Sequence, residues 1–554
     1  MNHHFIYSIC CLLFFGIQCQ DSQAPATSIP IVIIENGVAK RTKTAGKAWL
    51  QKEGYLERQG LYNVLYVDQQ LVGTTFRLWA RLSLAKLEGT TALFTFFDHH
   101  FGFDSASGTV PEDRGQLFLF NRTSGHLQKL GAATTHIQAG VPFEFVMEAT
   151  STELIFQING TEITRVARQD FAQPFTGGLG FRPWRNTMRL YDCQLEGNWQ
   201  DFPPIDYLYG YEQLGYHCFR NPALVQTPSG TLLAFAQGRY EDCYDLGDRD
   251  LLVKRSTDQG QSWSPAQVVF DAGTATCTGP TPVVDAQTGQ IHLLMTKVDI
   301  DYEANNELGL RENGRTVYWT SSTDDGLNWT PPRDISKPTI RPDWDIVATG
   351  PGSGIQLAAE AHRGRLVFPC YHRNRVDKGM YAHTIYSDDH GANWQIGQAT
   401  PSSGVAECQL AELGNGQLIL SMRQANESLK TRQIAISIDG GESWQTQRKD
   451  TMLLSGACQA SVASVINEGV STVLLANPLS ESLREKMTVS ASFDAGKTWP
   501  IQHLLHRGSA GYSDLLVLDD QTLLCFYEHG RMWTNEGLFL QSVPLSVFQM
   551  PIDE

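Results

Sequence analysis

The stretch Ser437-Ile438-Asp439-Gly440-Gly441-Glu442-Ser443-Trp444 carries the pattern Ser-x-Asp-x-Gly-x-x-Trp, which occurs five times in this chain of 554 residues. The other copies run over Ser256–Trp263, Ser322–Trp329, Ser387–Trp394 and Ser492–Trp499. The starting serines are 66, 65, 50 and 55 residues apart (322−256, 387−322, 437−387, 492−437), which suits one four-stranded unit per copy. Each copy follows a β-rich run such as Asp250-Leu251-Leu252-Val253-Lys254-Arg255 or Gln433-Ile434-Ala435-Ile436. The pattern is hairpin chemistry. Ser and Asp side chains bond nearby backbone N–H groups, Gly supplies a positive φ, and Trp packs the turn against its own sheet. Since every residue of the pattern serves the turn, the copies predict structural punctuation rather than five ligand sites.

Upstream, residues 25–198 lack the repeat and read as strands separated by polar turns. Thr75–Leu82, Thr91–Phe97 and Pro142–Met147 are examples. They predict a β-sandwich, followed at Pro203-Pro204 by a linker into a propeller over 205–554. With 42% hydrophobic and 18% charged residues, the chain is long enough to bury the cores of two domains. A net charge of −16 argues against nucleic acid or an anionic membrane as partner, because both are normally met by a basic face.

The apolar stretch Ile6–Phe15 reads as the core of a signal peptide over residues 1–22, with His3 and His4 where Lys or Arg is usual. No apolar run of membrane-spanning length follows it. The expectation is an exported protein: periplasmic, extracellular or cell-surface. Cys19 is either a lipid-anchor site or an ordinary residue of a discarded leader. The eight cysteines after the leader are scattered over more than 300 residues, so buried thiols are the default and connectivity is not deducible. No Cys/His spacing predicts a metal, and none is expected.

The repeat resembles the Asp box of sialidases and related β-propellers, and the sandwich resembles in pattern the lectin-like domain preceding some bacterial sialidase propellers. For the sandwich, carbohydrate binding and a purely structural role both remain open. The resemblance covers roughly Ile205 to Pro551 and implies an all-β fold with six blades, one of them without a box. It becomes specific at Phe219-Arg220-Asn221-Pro222, which is similar to the family's F/Y-R-I-P except at Asn221. In the family this arginine and two more grip the sialic acid carboxylate, and the others match Arg423 and Arg484. Planar guanidinium groups offer forked donors to a carboxylate and keep their charge. Glu528 matches the carboxylate that orients the first arginine. Arg239 and, six residues on, Asp245 match an arginine and the general acid/base of a loop over the pocket. Asp242, Asp248 and Asp250 compete with Asp245 for that role.

The segment Ala510-Gly511-Tyr512-Ser513-Asp514-Leu515 is similar to the family's Y-S-D-L, which implies Tyr512 as nucleophile with Glu407 as its base. Sialidases are the exception among glycosidases in attacking with a tyrosine. The reason is electrostatic: the anomeric carbon carries a carboxylate that repels an anionic nucleophile, whereas a neutral phenol deprotonated during attack escapes that repulsion. Gly350–Leu357 also resembles a substrate-pocket segment, making Gln356 a candidate contact to a glycan hydroxyl. A further expectation pairs Cys243 with Cys277, each in a loop beside the expected pocket. The implied activity is cofactor-free, retaining exo-α-sialidase action on sialylated glycoproteins, glycolipids or oligosaccharides. Transfer to another sugar, release of an anhydro product, or sialic acid binding without catalysis are the alternatives.

Overall fold

In the strand Gln70–Leu84, Phe76, Leu78, Ala80 and Leu82 are buried while Arg77, Trp79 and Arg81 face the other way, the period of two expected of a half-buried strand. The computed structural model describes residues 30–549 apart from 46–47, 60–62, 87–90, 97–98, 104–116, 122–126, 131–136, 169–178, 184–185, 301–309, 427–430, 456, 468–469, 482 and 519–520. The leader, with Cys10, Cys11 and Cys19, lies outside the described residues.

Gln70–Leu84 sits between Phe143–Ala149 and Thr187–Gln200 in a nine-stranded sheet. A second sheet of seven strands includes Val64–Val67, Thr91–Phe96 and His99–Phe103. Their inner faces share one core, in which Phe101 of the second sheet meets Phe156 of the first at 5.0 Å between ring centroids. This is the expected β-sandwich.

Beyond it six blades follow, and the first strand of each contributes to a common centre: Cys218–Gln226, Thr276–Val284, Trp344–Thr349, Val405–Glu412, Ser461–Asn467 and the second half of Ile501–Leu518. The long strand Ile501–Leu518 serves two blades. Its first half pairs with Glu485–Ser492 as the outer strand of blade five, and its second half pairs with Thr522–His529 as the inner strand of blade six. The outermost strand of blade six is Tyr209–Gly210, which pairs with Gly537–Pro544 and so joins the start of the propeller to its end.

That closure explains why six blades carry five boxes. Each box forms the hairpin between the third and fourth strands of its blade, and in blade six the fourth strand arrives from the other end of the chain. The boxes share one network: in the fourth, Ser437 Oγ donates to Asp439 Oδ1 at 2.7 Å and accepts from Gly441 N at 2.9 Å, while Asp439 Oδ1 accepts from Ser443 N at 2.9 Å. Gly441 has φ 89°, where an L side chain is strained, and Trp444 is buried.

Pro203 and Pro204 of the expected linker are exposed, and the residue before them packs. Phe202 joins Val64, Tyr66, Met532 and Trp533 in a small cluster between sandwich and propeller, with Tyr66 stacked on Trp533 at 5.1 Å. The cysteine expectation is corrected: Cys243 bonds Cys218, their Cα atoms 5.9 Å apart, and Cys277 is a buried thiol. Cys218 pairs across the sheet with Arg239, close in sequence to Cys243, whereas Cys277 points into the core between blades one and two.

Candidate active site

Four inner strands bulge at the same depth. Pairing registers shift between Arg220 and Ala223, Thr278 and Thr281, Val405 and Cys408, and Ala510 and Ser513. A bulge leaves residues outside the ladder and re-aims their side chains. Asn221, Glu407 and Tyr512 lie within three of these irregularities. Asn221 adopts φ 56°, a conformation Asn tolerates, and its side chain donates to Gln237 Oε1 at 3.1 Å and Thr278 Oγ1 at 3.0 Å. This accounts for the departure from the family pattern at that position.

Tyr512 donates its hydroxyl to Glu407 Oε1 at 2.6 Å. Arg423 Nη1 reaches both Glu407 oxygens, at 2.9 and 3.1 Å, and the Tyr512 oxygen at 3.2 Å. Burial pushes the Glu407 carboxyl up, but Arg423 and the Tyr512 hydroxyl pull it down further, leaving it below the ordinary carboxylate range. Burial and the neighbouring Glu407 drive the phenol the other way, well above its ordinary value, against the pull of Arg423, Arg484 and Arg220. The resting pair is therefore a neutral tyrosine donating to an ionised glutamate.

Two more guanidinium groups flank the tyrosine. Arg220 Cζ lies 4.8 Å and Arg484 Cζ 5.4 Å from the centroid of the Tyr512 ring. Glu528, fully buried, accepts Arg220 Nε at 2.8 Å and Nη2 at 3.1 Å, together with the backbone N–H groups of Asn221 and Tyr512. It fixes the arginine and the tyrosine strand at once. Arg239 is also buried. It donates to Gln237 Oε1 at 2.9 Å and to the carbonyls of Cys243 and Tyr244, so it shapes the loop that carries Asp245.

Asp245 is the one member of its acidic run to enter the arginine cluster. Asp242 pairs with Arg249 at 2.7 Å, and Asp250 accepts from Tyr216 and Tyr240, whereas Asp245 Oδ1 accepts from Arg220 and Arg239. Arg239, Arg220 and Arg484 hold its carboxyl at about 2. Its oxygens open to solvent at the cavity mouth, where screening weakens that hold.

The structure thus gathers Arg220, Arg239, Arg423, Arg484, Tyr512, Glu407, Asp245 and Glu528 at one end of the propeller, and Arg239, Asp245, Glu407 and Tyr512 among them line a cavity of about 120 Å³. It does not bring Gln356 there. Gln356 donates to Asp285 at 2.8 Å and Gly364 O at 3.1 Å and accepts from Ala286 N at 2.7 Å, so its amide ties strands together. It faces a larger cavity of about 570 Å³ bordered by Leu224, Val283, Leu410, Ile466 and Leu515, which come from the later parts of the inner strands. Arg220, Glu407 and Tyr512 come from the earlier parts of such strands, so the two cavities lie at opposite ends. The smaller is the candidate reaction site, because the charged groups converge there.

Sequence reasoning missed the polar hub beneath the site. Asp514, fully buried, accepts from Leu224 N, Ser353 N, Ser353 Oγ and Gln409 Nε2, joining blades one, three, four and six. Gln459 donates to Pro351 O and Ser513 O and accepts from Ser513 N. Asp514 stood in a motif quoted for its tyrosine; Gln409 and Gln459 carried no signal. Among the described residues no cluster of three or more His, Cys, Asp or Glu side chains could hold a metal.

A model of the BNR repeat-like domain matches residues 230–525. A sialidase of Micromonospora viridifaciens is 32% identical over 330 residues, 57% of this chain and 50% of that protein. An exo-alpha-sialidase of Arthroderma benhamiae is 32% identical over 302 residues, 51% of this chain and 68% of that protein. The chain thus spans half the length of the Micromonospora relative and about two thirds of the Arthroderma one. A solved structure, the Hadza microbial sialidase Hz136, shares the fold over 94% of this chain and 99% of its own, with a TM-score of 0.56 at 21% identity. Six blades, five Asp boxes and a buried tyrosine–glutamate pair among arginines place this chain in the BNR-repeat sialidase family.

Proposed function

We propose that the protein is a retaining exo-α-sialidase that removes terminal sialic acid from glycoproteins, glycolipids or oligosaccharides through a tyrosyl intermediate. The observation carrying this reading is the 2.6 Å hydrogen bond from the Tyr512 hydroxyl to Glu407, set among Arg220, Arg423 and Arg484. The arginines bind the substrate carboxylate and so fix the anomeric carbon over the phenol. As the phenol oxygen attacks that carbon, its proton passes to Glu407, already its acceptor, and Asp245 protonates the departing oxygen. Water activated by Asp245 then releases the sugar, and Glu407 returns its proton to the tyrosine. The Cys218–Cys243 bridge, which needs an oxidising compartment to persist, supports export.

The test is mass spectrometry of products from α2-3- and α2-6-sialyllactose, with labelling by a fluorinated sialic acid. Free sialic acid and a label on Tyr512 are expected. An anhydro sugar or a transferred sialic acid replaces hydrolysis with another outcome of the same first half-reaction, and a label on a carboxylate overturns the mechanism.

A further inference from the structure

The second strand of blade one, Leu232–Arg239, carries Gln237 and Arg239 on one face, as residues two apart in a strand must be. Gln237 is fully buried, and its surroundings fix which way its amide points. Nε2 donates to Cys277 O at 2.6 Å, so Oε1 is turned to accept from Arg239 Nε at 2.9 Å and Asn221 Nδ2 at 3.1 Å. Asn221 also donates to Thr278 Oγ1 at 3.0 Å. These bonds join two blades, because Asn221 belongs to the inner strand of blade one and Cys277 and Thr278 to that of blade two. Asn221 and Thr278 both stand at the register shifts of those strands. One buried amide therefore clamps two neighbouring bulges and a guanidinium.

Neutral oxygens do most of the holding of Arg239. Besides Gln237 Oε1 they are the carbonyls of Cys243 and Tyr244, each 2.6 Å from Nη1, and the one carboxylate oxygen that Nη1 meets, Asp245 Oδ1 at 3.2 Å, is shared with Arg220. A guanidinium is a rigid planar fork, so an acceptor that fixes Nε also fixes the direction in which Nη1 points. Gln237 grips the Nε side and the loop lies on the Nη1 side. A displacement at Gln237 is thus carried to Cys243, Tyr244 and Asp245.

We propose that Gln237, braced by Asn221, is a positioning residue for the proposed acid: it sets the Arg239 guanidinium, and through it the Cys243–Asp245 segment, so that Asp245 meets the departing oxygen of the substrate. The role given to Asp245 rests on the sialidase reading; the relay from Gln237 to the loop rests on the hydrogen bonds alone.

The test is Gln237→Met, which keeps the length of the side chain and removes its amide. On α2-3-sialyllactose kcat is expected to fall by about tenfold or more, while an aryl sialoside, whose leaving group needs little protonation, loses less than about threefold. A carboxylate inhibitor should bind no more weakly than to the parent, since the change lies outside the three arginines proposed to receive it. In a double-mutant cycle with Asp245→Asn the two losses on sialyllactose should not add, because both run through one group. Hydrogen exchange of the segment 240–248 reads the relay without turnover, and it should quicken by about tenfold in the variant while the other blades keep their protection. A merely structural brace would cost both substrates alike, so equal losses, additive losses in the cycle, or unchanged exchange in that segment each overturn the proposal. A parent that releases no sialic acid, with a segment that still quickens in the variant, refutes the reaction and not the relay. Asn221→Gly, which suits the φ of 56° and removes only the brace, should move both readouts the same way by a smaller factor, and it carries the test if Gln237→Met does not fold. No shift in either readout there overturns the proposal.

Discussion

Asp245 Oδ1 stands 3.2 Å from Arg220 Nη1, and the same oxygen is 3.2 Å from Arg239 Nη1. The proposed acid therefore rests as a carboxylate between Arg239, which shapes its loop, and Arg220, one of the guanidinium groups proposed to receive the substrate, and these two lead the groups holding it at about 2. A group held there is ionised at neutral pH and has no proton to give. A substrate carboxylate that takes over Arg220 compensates part of that positive field and lets the Asp245 pKa rise.

Binding of a sialic-acid analogue should therefore take up protons. The sign follows directly: a pKa higher in the complex means more bound protons there, so affinity strengthens as pH falls towards the liganded value. Calorimetry near pH 5 in two buffers of different ionisation enthalpy measures the uptake. Proton release, or no exchange at all, contradicts the displacement.

Asp245→Asn should separate binding from turnover. Without the competing charge, a carboxylate inhibitor is expected to bind as well as in the parent or several-fold better. Turnover of a natural glycan should fall by about 10²–10⁴-fold. An aryl sialoside, whose leaving group needs little protonation, should lose far less. Equal losses on both substrates would show that Asp245 does not act on the leaving group.

Glu528 lies under the arginine it orients, so its charge should matter to both fold and site. Glu528→Gln leaves Arg220 buried beside a neutral amide, with an expected loss of about 3–5 kcal/mol in unfolding free energy. Gly511→Ala attacks the same contact sterically, because a Cβ there would lie 2.2 Å from Glu528 Oε2. Both should weaken a sialic-acid analogue, read by calorimetry alongside urea unfolding, and an unchanged affinity in either removes Glu528 from its orienting role.

Chemistry and architecture should fail separately. Tyr512→Phe deletes one oxygen from a site whose packing is otherwise kept, so turnover should drop by at least about 10³-fold while the melting temperature moves little. Trp444→Ala empties the plug of the fourth box, buried against Leu418 and Ala435, and should cost about 3–5 kcal/mol while the folded fraction keeps its kcat/KM. A box variant that abolishes catalysis at full stability would give the boxes a role beyond the turn.

The turns were legible because the box is local: Ser437, Asp439, Gly441 and Trp444 satisfy one another within eight residues. The site residues were reachable through short motifs around Arg220, Asp245 and Tyr512, but not the bulges that aim Asn221, Glu407 and Tyr512, since a register shift depends on the partner strand. Gln356 shows the same limit. Its segment resembled a pocket motif, and which end of the inner strand it occupies is set by where the strand turns. Cys243 was sought in the next blade when its partner, Cys218, lay across a hairpin whose register the sequence does not state. Asp514, Gln409 and Gln459 were hidden for another reason: a polar residue in an apolar run reads as an interruption until its partners from other blades appear.

Asp514 yields the last prediction, concerning stability rather than turnover. Burial lifts its carboxyl to about 6 in the fold, against the hydrogen bonds from Gln409, Leu224 and Ser353 that pull it down. An unfolded aspartate titrates near 3.9, so between about pH 4 and 6 the native state binds more protons than the unfolded one. Stability from this group is thus greatest below pH 4 and declines as pH rises to 6, by on the order of 3 kcal/mol. Asp514→Asn has no proton to exchange and loses an acceptor facing several donors, so it should be the less stable protein throughout. Its deficit relative to the parent should shrink as pH rises from 4 to 7, because the parent alone bears the growing cost of a buried charge. Urea unfolding of both proteins at pH 4.5, 5.5 and 7 measures the gap. A gap that widens with pH would mean that the hydrogen bonds outweigh burial and that Asp514 is held ionised across the range.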